Sequence, residues 1–126
     1  MILVDSDIVI AHLRGHRTAR DWLLAARERA PLAISVLTIS EVSGGMRTGE
    51  RREVWGLLSS FHSEPVTETV ARRAGEFKRS YRRSHHTIGT VDYLIAATAA
   101  VNGYELATLN VRHFPMFAGL VPPFQA

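Results

Sequence analysis

Cysteine is absent from this 126-residue chain, which excludes disulfide staples and cysteine-ligated zinc. A cytoplasmic setting is the expectation. Long hydrophobic runs are missing as well. The longest apolar stretch, Tyr93 to Val101, is too short to cross a bilayer, so no membrane partner is expected. No cationic segment precedes Asp5, and no secretory leader is expected. There is no Gly-x-Gly-x-x-Gly or Walker-type loop, and Gly44-Gly45 lacks a following lysine. Lysine itself is nearly absent: Lys78 is the only one among 15 basic residues. Repeats, linkers and low-complexity segments do not appear.

What remains is 46% hydrophobic, enough for a core, and the length fits one domain over residues 1–126. The net charge is +3. Arginine offers a planar fork suited to phosphate, although an arginine-rich genome would leave the same mark. The excess is too small to indicate nucleic-acid binding by itself.

Apolar runs alternate with helix-like periods. Ile2 to Val4 reads as a short buried strand, followed by helices from about Asp7 to Arg14 and Thr18 to Arg29. Leu32 to Val36 is a second strand. Thr38 to Met46 is a helix in which Thr38-x-x-Glu41 fits a capping box. Glu50 to Ser60 is helical, and Phe61 to Val66 is a weak strand demoted by Pro65. Thr67 to Ser84 is the longest helix. His85 to Gly89 is a loop, and Thr90 to Val101 a helix stopped by Asn102-Gly103. Leu106 to Leu109 is the fourth strand, with a short edge strand expected near Leu120-Val121. The alternation predicts an α/β/α sandwich around a mostly parallel sheet of four to five strands.

Open parallel sheets place their sites at the strands' carboxyl ends. Asp5 and Asp7 follow the first strand there. Glu41 follows the second, Asp92 opens the helix after Thr90, and Asn110 closes the fourth strand. Each has a plain structural use. Asp5 or Asp7 can cap a helix, Glu41 can complete the box with Thr38, Asp92 can sit on a helix dipole, and Asn110 can make a turn. Together they point further. Carboxylates crowded at one edge repel unless a divalent cation holds them, and oxygen ligands suit Mg²⁺ or Mn²⁺. Ser6 and Thr108 are small hydroxyls placed to orient waters. His85-His86 is no zinc site, because adjacent residues do not share a helix face. Arg72, Arg79 and Arg83 share one face of the long helix. With Arg112 they are candidate phosphate contacts, against the blander reading of a solvated face.

Four segments in order, DSDIVI at Asp5, TISEV at Thr38, TVDYLIAATA at Thr90 and TLNVRHF at Thr108, resemble the acidic motifs of PIN-domain nucleases. Order and spacing look most like VapC-type toxins of toxin–antitoxin pairs, over essentially the whole chain. The resemblance implies a metal-dependent ribonuclease with Asp5, Glu41 and Asp92 as metal ligands. It also implies an RNA substrate, a homodimer and a VapB-like antitoxin that covers the acidic pocket. The fourth position is often Asp, and Asn110 departs from that by removing one negative charge. Two rivals stand beside this reading. Asp5-Ser6-Asp7 also resembles the nucleophile motif of haloacid-dehalogenase phosphatases, which wants a downstream lysine and a late acidic pair. Asn110 also admits a decayed PIN-like module that only binds.

Overall fold

The computed structural model describes residues 1–125. The elements run β1 (Ile2–Val4), α1 (Ser6–Leu13), α2 (Arg17–Arg29), β2 (Leu32–Ser35), α3 (Val36–Gly44), α4 (Arg51–Ser59), β3 (His62–Glu64), α5 (Glu68–Tyr81), α6 (Thr90–Asn102) and β4 (Glu105–Ala107). A 3₁₀ turn over Val111–His113 follows. The strands form one parallel sheet in the order β3-β2-β1-β4. From β1 the chain builds outward through β2 to β3, then returns to place β4 on β1's other side. The reversal puts the topological switch point between β1 and β4, where a crevice opens at the carboxyl ends.

Alternation along the strands feeds two cores. Ile2, Val4, Leu32 and Ile34 pack with Ile8, Val9, Leu23, Val54 and Leu58 from α1, α2 and α4. Leu3, Ala33 and Leu106 face the opposite way, against Ile95, Ala96 and Ala99 of α6. The alanines let α6 lie close to the sheet, and α5 covers its outer side through Val70 and Ala74 against Tyr93 and Ala97. Helices on both faces explain why β1, β2 and β4 are mostly apolar, whereas the edge strand β3 is polar, His62-Ser63-Glu64. No helix among the described residues is long and apolar enough to cross a membrane.

Three expectations need correction. Helix α3 begins at Val36, because Ser35 caps it and accepts the Leu37 N–H at 3.1 Å. Thr38 is therefore buried inside the helix with an unpartnered hydroxyl, and the Thr38–Glu41 capping box does not form. Strand β4 ends at Ala107 instead of Leu109, because side chains take its next amides. Asp7 accepts the Leu109 N–H at 2.9 Å, and Thr108 Oγ1 accepts the Asn110 N–H at 3.1 Å. No strand forms near Leu120-Val121, so the sheet of the described residues has four strands.

Candidate active site

The switch-point crevice is a cleft of about 340 Å³ lined by Asp5, Ser6, Asp7, Glu41, Val91, Asp92, Asn110 and His113. A larger hollow of about 550 Å³ lies under the tail between Trp22 and Pro123, but its one carboxylate, Glu105, is engaged by Arg29 at 3.0 Å. The acidic chemistry belongs to the smaller cleft.

Asp5 ends β1 and caps α1. Its backbone N–H donates to Ala107 of β4 at 2.9 Å, and its Oδ1 accepts the Ser6 N–H at 2.8 Å. Its Oδ2 accepts from the Thr108 hydroxyl at 2.8 Å. The same hydroxyl stands 3.2 Å from Asp7 Oδ2, so one proton serves two carboxylates. Asp7 Oδ1 is buried without a partner. Burial, followed by the charge of Asp7, pushes the Asp5 carboxyl from its ordinary 3.8 up to about 6, against the bonds from Thr108 and Ser6. Lost hydration likewise raises Asp7. Glu41 is raised by lost hydration first and then by the charges on Asp92 and Asp7.

Glu41 reaches the cleft from the second turn of α3, where Ser6 Oγ donates to it at a long 3.4 Å. Asp92 enters from the first turn of α6, accepting the Gly89 N–H at 3.1 Å. Gly89, rather than Thr90, is the cap. Among the described residues, no three acids or histidines already form a metal-binding group. The donor set still fits a hard divalent ion: it is all oxygen, anionic, short of hydrogen bonds at Asp7 Oδ1 and costly to ionise at Asp5. Asp5, Glu41 and Asp92 are the side chains that would hold such an ion.

One site residue escaped the sequence reading. His113 lines the cleft, with Nδ1 3.1 Å from Asp92 Oδ2 and 2.9 Å from Asn110 Nδ2. The signal was available. Asn110-x-x-His113 has the spacing of a 3₁₀ turn, in which residues three apart eclipse. Arg112 is exposed on that turn beside the cleft but does not line it. Arg72 and Arg79 lie on α5 and Arg83 in the turn after it; none lines the cleft, and Arg72 is paired with Glu68 at 3.0 Å. The structure does not bring these three to the site.

Thr108→Val tests the shared hydroxyl. It leaves Asp5 and Asp7 without their common donor, and we expect a loss of about 1–3 kcal/mol of stability. Urea unfolding in EDTA reads this directly, and an unchanged midpoint would show the hydroxyl to be dispensable.

A parallel sheet with helices on both faces and a carboxylate-lined cleft at its switch point defines the class of α/β domain with an acidic site. The chain belongs to the PIN-domain family, which matches residues 2–119. It is 66% identical over 124 residues to Ribonuclease VapC10 of Mycobacterium tuberculosis, covering 98% of this chain and 93% of that protein. It is 42% identical to Ribonuclease VapC19 of the same organism, covering 98% and 100%. In three dimensions it matches a protein of a toxin–antitoxin complex from Klebsiella pneumoniae, with a TM-score of 0.81, 27% identity and full coverage of both chains.

Proposed function

We propose that this chain is a metal-dependent endoribonuclease and the toxin of a toxin–antitoxin pair. One observation carries the reading: Asp5, Asp7, Glu41 and Asp92 come from three separate segments to line one cleft at the switch point. Kinship with proteins named as ribonucleases supports it, at 66% and 42% identity. A cognate antitoxin is the expected partner, since the similar Klebsiella structure is a toxin–antitoxin complex. Pairing of two copies belongs to the same reading.

Asp5, Glu41 and Asp92 would hold the divalent ion, Mg²⁺ or Mn²⁺. A bound divalent cation would supply Lewis acidity toward the phosphodiester and the attacking water. Hydrolysis joins the water oxygen to phosphorus and releases a ribose oxygen. Asn110 offers its amide from the cleft wall, and His113 Nδ1 stands within reach of that amide and of Asp92, accepting from the first when unprotonated or donating to the second when protonated. Asp7 ties the loop after β4 to α1, so the Thr108–Asn110 segment stays registered with Asp5. Ser6 steadies Glu41 only through its 3.4 Å contact, leaving that carboxylate free to adjust. The phosphatase alternative lacks its lysine here, since none lines the cleft.

The test is cleavage of cellular RNA by purified, antitoxin-free protein in Mg²⁺ or Mn²⁺. Discrete fragments that vanish with EDTA are expected. A folded sample that cuts no RNA, yet binds it, would favour the decayed module.

A further inference from the structure

A second cavity, of about 250 Å³, opens where α1 turns into α2. Its walls are His12, Gly15, His16, Arg17 and Arg20. Gly15 makes the turn with φ +87°, a left-handed conformation that favours glycine. Four of the five lining residues carry or can carry positive charge, and none is acidic. From His12 through Arg20 the chain holds three arginines, two histidines and no carboxylate. Arg14 is committed to Glu50 at 2.8 Å. Among the described residues, Arg17 and Arg20 join no ion pair. Asp21, one turn from Arg17, lies outside the lining. His12 Nδ1 is buried without a partner, and His16, which caps α2, offers its amides no side-chain acceptor.

A concave group of unpaired cations is what a phosphate requires, and arginine forks match phosphate oxygens better than lysine does. Asp5 caps one end of α1 and this cavity sits at the other. Eight residues at about 1.5 Å each separate them by about 12 Å, a span that single-stranded RNA bridges in a few nucleotides. The acidic cleft itself repels the RNA backbone, so binding needs cations placed apart from it.

We propose that the cavity at the α1–α2 turn is a phosphate site that grips the RNA backbone away from the scissile bond. The inference rests on the ribonuclease reading. The test uses Arg17→Gln with Arg20→Gln in a background made inactive by Asp92→Asn. Binding to a single-stranded RNA is measured across a salt series. Roughly tenfold weaker binding is expected, with the salt slope reduced by about 1.4 for two lost phosphate contacts. A titration of the parent with inorganic phosphate should shift the backbone amides of Arg17, Thr18 and Ala19, and the double variant should abolish those shifts. Equal RNA affinity and equal slope in a folded double variant would overturn the site. So would unchanged RNA binding with weakened binding of polyglutamate, which would assign the cavity to an acidic protein partner. The two readings fail separately. A parent that binds no RNA removes the ribonuclease reading itself, whereas a parent that cuts RNA with the cavity dispensable removes only this site.

Discussion

Asp92→Asn is expected to lower metal-dependent RNA cleavage at least about a hundredfold while leaving the fold intact. The size follows from the charge removed. Stabilisation of a developing phosphoryl charge by a bound cation amounts to several kcal/mol, and each 1.4 kcal/mol is about tenfold in rate. The selectivity follows from Asp92's small structural role. Its Oδ2 accepts the Gly89 N–H at 3.1 Å at the start of α6, and an asparagine carbonyl can take the same bond. Its neighbours Tyr93, Ile95, Ala96 and Ala97 carry the packing of that helix and are untouched. Single-turnover cleavage reads the chemistry, Mn²⁺ titration calorimetry reads the ligand and thermal melting reads the fold. A variant that cuts as fast as the parent would remove Asp92 from the site. A variant that loses its melting transition would show that the charge supports the fold.

The legible part of this molecule was the part governed by apolar periodicity and by charge placed against it. Ile2-Leu3-Val4 ending in Asp5 was readable because an apolar strand rarely finishes in acid without a use for it. The same reasoning found Asp92 before the alanine-rich run of α6. Boundaries set by individual side-chain bonds were not readable. Ser35 and Thr38 are both competent caps, and only the path of β2 decides that Ser35 meets the Leu37 amide. The early end of β4 depends on Asp7, a hundred residues away in sequence, taking the Leu109 amide. Which arginines stand near the cleft is not legible for a related reason. Helical spacing groups Arg72, Arg79 and Arg83, but shows neither that the helix ends at Tyr81, before Arg83, nor that none of the three lines the cleft. The cationic group next to a cavity is Arg17 and Arg20, at a turn that periodicity passes over.

Asp5→Asn is expected to stabilise the metal-free protein and to destroy its activity. Asp5 is only 9% exposed, and its folded-state carboxyl lies at about 6 against an ordinary 3.8, because of burial first and the nearby charge of Asp7 second. A folded value above the unfolded one means that the folded state binds the proton more tightly. The contribution to stability is full below pH 3.8 and is lost as pH rises through about 6. The rise from 3.8 to about 6 corresponds to about 3 kcal/mol that ionised Asp5 withholds from the fold near neutral pH. Asparagine avoids that cost. Its carbonyl keeps the Ser6 amide and its NH₂ group can donate to Thr108 Oγ1, whose own proton then turns to Asp7. In EDTA at pH 7.5 the variant should melt on the order of 10 °C above the parent. The gap should close as pH falls toward 4. Added Mn²⁺ should raise the parent's melting temperature and leave the variant's nearly unmoved, since binding to the folded state alone is stabilising. The measurement is a set of paired melts across pH, with and without the ion. If parent and variant track in parallel from pH 4 to 7.5, ionised Asp5 carries no folding cost. Divergence in the stated direction means that the cleft holds its carboxylate at the expense of stability, a cost that ion binding offsets and that a chain selected for stability alone would have removed.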